Sequence, residues 1–411
     1  MTETAAQLNA MPFDAASPIW ADVKPIPQSD TDAPLCPILY SPEYSTAMDL
    51  LRALRSSQEH SARALTLTEH LVRLNPSNFT VWDYRAHVLI NGTHFTDESA
   101  RSQALKAELD LLDDMATGSM KNYQIWQQRK RIVVALDDPS RELDFTARIL
   151  DIDSKNYHTW VYRQWVLCRF GGLPASSTLK GTATAADVAL PSSSVPSSHP
   201  SSSSTKGNTR SGRTFPELWS GELAYTDQLL EEDVRNNSAW NHRFFVLFAS
   251  GRAKACEADS DSTDEAGWVR REIGFTKAKI AMTPNNASAW NYLRGISRLN
   301  PSHSTSPLRS QACFALSLIP SHAEARASPS MDSGGLTSWY ALEWLLDCEQ
   351  EAAQQQLSAS SSGAEQAQSE SKRQIEDQTR LILARLLVAD PMRKRYWHYK
   401  AERILSTLDR V

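Results

Sequence analysis

The sequence predicts an all-α fold, an α–α superhelix in which helical hairpins stack into a crescent. Three observations predict it. A phrase of Asn, three residues, Trp, two residues and Arg recurs along the chain; apolar residues at helical spacing precede its copies; and Pro76 parts the first such pair. Repetition at tens of residues marks a solenoid, whose units cannot bury an apolar face alone.

Residues 1–44 are rich in Pro, Asp and Ala and read as an extended arm with two aromatic anchors, Trp20 and Tyr40. From about residue 45 to 411 the pattern is helical. Ala64, Leu67, Leu71 and Leu74 share one helical face. After Pro76, Asn78-Phe79-Thr80-Val81-Trp82-Asp83-Tyr84-Arg85 opens a second helix and completes a hairpin. Leu105, Leu109 and Leu112 precede the copy at Asn122, Trp126 and Arg129; Leu143, Ala147 and Leu150 precede the one at Asn156, Trp160 and Arg163. Trp126 and Trp160 stand 34 positions apart, whereas Trp160 and Trp240 stand 80 apart. The excess is the Ser, Thr, Gly and Pro-rich tract at about 171–214, which cannot bury enough apolar surface to order itself. Fragments around Leu223 to Leu230 and Val269 to Ile280 precede the copies at Asn236, Trp240 and Arg243 and at Asn286 and Trp290, where Leu293 takes the Arg slot. Polar tracts at about 254–266 and 349–374 read as loop extensions, and a worn sixth copy stands at Tyr396 to Lys400.

The 411 residues carry 43 basic and 48 acidic side chains, a formal charge of −5. No whole-molecule pull toward nucleic acid or anionic membrane results, and any anion site must be local. Five scattered cysteines form neither a disulfide framework nor a zinc knuckle, which suits a reducing cytosol. The start lacks a signal segment, and no stretch is apolar for the roughly 18 residues that a bilayer span requires. The expectation is a soluble cytoplasmic protein. HExxH, a Gly-rich phosphate loop, GxSxG and metal-ligand spacings are all missing.

The recurring letters are architecture. Asn before a helix caps its first turn, contributing about 1 kcal/mol. Trp one turn inside buries roughly 150–250 Å² between hairpins. The Arg can pair with a neighbouring unit. Chemistry is sought instead where the copies differ. Only the second and third carry Lys-Asn-Tyr followed by Gln or His: Lys121-Asn122-Tyr123-Gln124 and Lys155-Asn156-Tyr157-His158. These cluster at adjacent helix N-termini, where the dipole favours an anion. An ammonium, two phenols, an imidazole and an amide there form a pocket for phosphate or carboxylate. On spacing alone, solvated lysines and tyrosines stapling the helix entry are the alternative.

These units, with Asp233 to Arg243, Asn286 to Leu293 and the arm stretch Trp20-Ala21-Asp22-Val23-Lys24-Pro25-Ile26-Pro27-Gln28-Ser29-Asp30, resemble the protein prenyltransferase alpha-subunit family. The likeness spans about 18–405 and is greatest to the branch shared by protein farnesyltransferase and geranylgeranyltransferase type I. It implies a subunit active only as a heterodimer with the farnesyltransferase or the geranylgeranyltransferase type I beta subunit. The enzyme would transfer a farnesyl or geranylgeranyl group from its diphosphate to the Cys of a C-terminal CaaX sequence, as on small GTPases. It also implies Zn2+ held by the beta subunit and Mg2+ for farnesyl transfer. Residue by residue, Lys121, Tyr157 and His158 match positions at the isoprenoid diphosphate, with Asn156 beside them and Tyr123 near the transferred group. Gln124 matches the amide that binds the peptide carboxylate. Phe79 stands at a peptide-binding position where the family often has tyrosine. The alternatives are a Rab geranylgeranyltransferase alpha subunit, whose repeats are similar but which lacks the arm, and a non-catalytic tetratricopeptide-like scaffold.

Overall fold

The computed structural model describes residues 13–29, 36, 38–173, 214–249, 265–299, 306–320, 338–358 and 365–410. Among them every regular element is helical. The chain divides into two compact units, Met1–Gly172 with Ala186–Trp219, and Leu173–Ala185 with Ser220–Val411.

In the first unit, helix α1 (Pro42–Ser56) precedes three hairpins: α2 (Ala62–Leu74) with α3 (Phe79–Asn91), α4 (Glu98–Ser119) with α5 (Tyr123–Leu136), and α6 (Glu142–Ile152) with α7 (Tyr157–Gly171). The second unit holds hairpin 4, α8 (Glu222–Glu232) with α9 (Asn237–Phe244), and hairpin 5, α10 (Glu265–Met282) with α11 (Ala287–Leu299). It continues with α12 (Ala312–Ser317), α13 (Trp339–Ser358), α14 (Glu365–Ala389) and α15 (Lys394–Leu408).

All five repeat copies build the same tip. The N–H of each cap asparagine donates to the carbonyl three residues back, at Asn75, Ser119, Asp153, Asp233 and Thr283. Each asparagine Oδ1 then accepts from the first turn of the second helix: Thr80, Gln124, Thr159, Ser238 and Ser288. The five tryptophans are buried, and each indole N–H donates to a carbonyl six residues back, at Pro76, Met120, Ser154, Val234 and Pro284. The Trp therefore closes the turn as well as filling the core.

In hairpins 1, 2 and 4 the Arg of the repeat reaches the next hairpin, whereas Arg163 of hairpin 3 donates to Leu143 O and Thr146 Oγ1 of its own first helix. Arg85 forks onto Glu108, Arg129 onto Glu142 and Arg243 onto Glu272. Each glutamate also accepts from the second helix of its own hairpin: Gln128 Nε2 at 3.0 Å, Tyr162 Oη at 2.5 Å and Tyr292 Oη at 2.8 Å. Burial and the Glu142 charge push the Tyr162 phenol well up, so it stays a donor. The guanidinium groups of Arg129 and Arg243 lie over Phe145 and Phe275, 3.4 and 4.1 Å from the ring centroids.

The arm lies along hairpin 1. Trp20 is buried; Arg63 donates to Ile19 O at 2.5 Å, to both Asp22 oxygens and to Glu59. Ile26 N–H donates to Asp49 O, and Arg52 Nε donates to Ile26 O. Tyr40 departs from the expected anchor, being exposed and in ring contact with Tyr44. Leu74 also departs from its predicted face: it ends α2 at the exposed rim. In α6 the buried stripe is Phe145, Ile149 and Leu150, with Leu143 only half-buried.

The tract at 349–374 is not one loop. Residues to Ser358 continue α13, and α14 starts at Glu365. Gln, Glu, Lys and Ala are good helix formers, and Ala353 and Ile375 provide buried contacts that polarity alone hides. The expectations for 174–213, 250–264 and 359–364 lie outside the described residues. The chain around the first of these is closed: Phe215 N–H donates to Phe170 O at 2.7 Å. At the worn sixth copy Trp397 is buried on α15, but its indole donates to Asp390 and no side chain caps the helix.

Two outcomes follow from these contacts. Arg129→Leu strands the buried Glu142 carboxylate and should lower stability by about 3–5 kcal/mol, whereas Arg141→Ala, whose ion pairs are exposed, should cost under about 1 kcal/mol; chemical denaturation of the assembled protein compares them. Arg63 holds the Asp22 and Glu59 carboxyls below their ordinary values, chiefly by side-chain hydrogen bonds. Their contribution is present above the ordinary carboxylate range and is lost as pH falls through the depressed values. Hydrogen exchange at 19–26 should therefore rise below about pH 4, and Arg63→Ala should produce the same rise at neutral pH.

Candidate functional site

The tips of hairpins 2 and 3 project the residues that break the repeat. Because each cap asparagine holds the first turn in one conformation, the side chain just after it points away from the core. Phe79, Tyr123 and Tyr157 occupy that place in hairpins 1, 2 and 3 and are 70%, 69% and 69% exposed. The rings of Tyr123 and His158 meet edge to face at 4.4 Å, and the Tyr157 ring centroid lies 5.7 Å from that of His158. His158 thus has a phenol from each of two adjacent hairpins near its ring.

Lys121 stands just before the cap of α5 with its side chain 79% exposed, and its Nζ is 3.9 Å from Asp153 Oδ2. That is a loose pair between the two tips, of a kind worth little in water. Lys121, Tyr123 and Gln124 line an open concavity of about 400 Å3 together with Ser77 and Ser119. Asn122 Nδ2 donates to Ser77 Oγ at 3.1 Å across its floor. Partial burial holds the His158 imidazole below its ordinary value, so it is neutral near pH 7 and offers one N–H.

Asn156 is placed differently from expectation. It is 2% exposed, and its Oδ1 accepts from Thr159 N–H, so it supports the tip from within rather than facing solvent. The predicted backbone contribution is also reduced, because Asn122 Oδ1 already takes the N–H groups of Gln124 and Ile125. The polar groups left to meet a ligand here are mainly side chains. Ser77, Ser119 and Asp153 are the site residues that sequence reasoning passed over. The signal for two of them was present: Ser119 and Asp153 each stand three residues before a cap asparagine, the place whose carbonyl closes every tip.

Among the described residues no three His, Cys, Asp or Glu side chains converge to hold a metal. No described helix is long and apolar enough to cross a membrane.

The fold and this site define a helical-hairpin repeat protein that presents a cation, phenols, an imidazole and an amide on two neighbouring tips. Five segments, 61–91, 105–136, 139–170, 219–250 and 269–299, match the protein prenyltransferase alpha subunit repeat, and they correspond to the five hairpins. A protein farnesyltransferase/geranylgeranyltransferase type-1 subunit alpha from Dictyostelium discoideum is 30% identical over 286 residues, covering 70% of this chain and 71% of the relative. A geranylgeranyl transferase type-2 subunit alpha from Sus scrofa is 25% identical over 284 residues, which are 41% of its length. Among solved structures, Candida albicans protein geranylgeranyltransferase-I complexed with GGPP aligns with a TM-score of 0.60 and 26% identity, covering 93% of this chain and 98% of that one. The chain belongs to the protein prenyltransferase alpha-subunit family, in the branch shared by protein farnesyltransferase and geranylgeranyltransferase type-1.

The burial of His158 yields a test with inorganic diphosphate as probe. A bound anion favours the imidazolium, so the advantage of the unaltered protein over His158→Asn in diphosphate affinity should grow as pH falls from about 7.5 to 5.5. Calorimetry of both proteins at each pH cancels titration of the probe itself.

Proposed function

We propose that this chain is the alpha subunit of a heterodimeric CaaX prenyltransferase, and that the tips of hairpins 2 and 3 hold the diphosphate of farnesyl or geranylgeranyl diphosphate. The observation that carries the reading is the Tyr123–His158–Tyr157 ring cluster, exposed and formed by two adjacent tips, beside a lysine with only a loose partner. The reaction joins the peptide cysteine sulfur to C1 of the isoprenoid as the C1–oxygen bond breaks; diphosphate departs with the electron pair. Charge grows on that leaving oxygen. Lys121 supplies a positive charge there, and His158 and the Tyr157 phenol supply N–H and O–H donors that strengthen as the charge develops. Tyr123 lies against His158 and orients it.

Gln124, in the same concavity, would donate its amide to the carboxylate end of the peptide. Phe79, exposed at the tip of hairpin 1, would meet the peptide with a ring that has no hydroxyl to add. Asn156 acts from within the tip. The described residues do not fit a zinc or magnesium site of their own, so both ions are assigned to the partner subunit or the substrate, and no step is derived through them. CaaX proteins such as small GTPases are the substrate class, and the cytoplasm is the compartment this implies. The Rab-type reading is disfavoured by the lower identity of the type-2 relative and by the docked arm.

Co-expression with each type of beta subunit, followed by transfer of labelled isoprenoid to a CaaX peptide, tests the assignment; absence of transfer with both would sink it. Lys121→Ala should slow the chemical step by roughly 10- to 1000-fold, the range for one lost electrostatic contact, and an unchanged single-turnover rate would remove it from the site. Gln124→Ala should mainly raise the peptide KM, about tenfold for one lost hydrogen bond to a charged group.

A further inference from the structure

Hairpin 3 departs from the others inside its tip as well as on its surface. The residue three after the cap asparagine is buried in all five copies. It is Val81, Ile125, Ala239 and Ala289 in hairpins 1, 2, 4 and 5, but Thr159 in hairpin 3. The Thr159 hydroxyl is fully buried and has no hydrogen-bond partner among the described residues. Beside it, Asn156 Oδ1 accepts from Thr159 N–H at 3.2 Å, while Asn156 Nδ2 is buried and likewise lacks a partner.

Three of the four matching amide groups elsewhere are shown in use. Asn78 Nδ2 donates to Tyr44 Oη at 2.9 Å, Asn122 Nδ2 to Ser77 Oγ at 3.1 Å and Asn286 Nδ2 to Val234 O at 2.7 Å. In the last two, the acceptor belongs to the tip of the preceding hairpin. The Asn156 amide of hairpin 3 makes no such direct stitch. Two unpaired buried polar groups in one helix turn carry a desolvation penalty unless something reaches them. An amide that only donates and a hydroxyl that both donates and accepts fit a water molecule. They do not suit a cation, which the N–H groups would repel, and the buried atoms leave no path for an anion as large as phosphate.

We propose that Thr159 is a positioning residue which, together with Asn156, holds one buried water molecule behind the tip of hairpin 3 and through it fixes the turn that carries Tyr157 and His158. The water takes the part that Ser77 plays under Asn122. It keeps the Asn156 side chain in the rotamer that caps α7, and the direction of His158 depends on that cap. Neither residue touches the substrate. This inference rests on the reading that Tyr157 and His158 face the diphosphate.

The test uses the assembled heterodimer and geranylgeranyl diphosphate. Thr159→Val keeps the shape and removes the hydroxyl; it should weaken isoprenoid diphosphate binding by about tenfold, the scale of one lost buried hydrogen bond, with the peptide KM unchanged. Thr159→Ser should restore binding to within about twofold. A crystal structure of the unaltered heterodimer should show water within hydrogen-bond distance of Asn156 Nδ2 and Thr159 Oγ1. Equal binding by Thr159→Val, no rescue by Thr159→Ser, or no water at that place would each overturn the proposal. If the valine variant fails to assemble, the solvent density of the unaltered protein decides alone. Lys121→Ala in the same assay separates the two levels: if it binds and reacts normally, the diphosphate site itself is misplaced, whereas normal loss in Lys121→Ala with none in Thr159→Val rejects only the water.

Discussion

The buried guanidinium–carboxylate fork is the interaction on which the rest of the first unit depends. Arg129 and Glu142 are both fully buried, and neither charge is tolerable there without the other. The fork joins the second helix of one hairpin to the first helix of the next, and Tyr162 ties the same carboxylate to the second helix of its own hairpin. Three helices are thus held by one carboxylate, with Arg85, Glu108 and Gln128 repeating the arrangement one hairpin earlier. A slip of either hairpin by one residue would strand a charge in the core. The interval between adjacent tips is therefore set by electrostatics, while apolar packing provides most of the driving force.

That fixed interval is what makes a two-tip site possible. Every tip shares one backbone turn, one asparagine cap and one indole hydrogen bond, so the positions flanking the cap are released from structural duty. They can carry chemistry in one hairpin and nothing in the next. At the same place after the cap, hairpin 5 has Ala287 and hairpin 4 Asn237, while hairpins 2 and 3 have tyrosine. Tyr123 and His158, one on each of two adjacent tips, meet in ring contact.

Much of this was legible in the sequence, and the parts that were not share a cause. The Asn, Trp and Arg roles could be read because each depends on local spacing, which a helix converts directly into geometry. The glutamates of the forks were missed since Glu108, Glu142 and Glu272 lie among other charged residues, and only tertiary contact shows which one is buried. The helices through 349–358 and 365–374 were missed because a run of Gln, Glu and Ser lacks a visible stripe, although its Ala and Ile contacts suffice. Leu74 was misread because periodicity does not announce where a face runs out of partner. At the site, the placing of Tyr123 and His158 on neighbouring tips was legible from the repeat, while the burial of Asn156 required coordinates: a capping asparagine looks the same in sequence whether it faces solvent or core.

The contrast between two lysines shows why a chain of net negative charge can still serve an anion. Lys400 is largely buried and held by Glu343 at 2.9 Å and Asp347 at 2.6 Å, in a cluster that Tyr396 completes. Its charge is spent on the fold, since withdrawing it would leave two carboxylates facing each other in low dielectric. Lys121 meets Asp153 at only 3.9 Å, with most of its side chain in water. Exchanging that aspartate for an incoming oxyanion costs little, because a surface pair contributes at most about 1 kcal/mol. The same side chain is thus structural at one place and available at another, and the deciding variable is the depth of its partner. A local cation with a weak partner, set beside a neutral imidazole and two phenols, offers a positive field at close range whatever the overall charge, because fields at close range outweigh those screened over a Debye length.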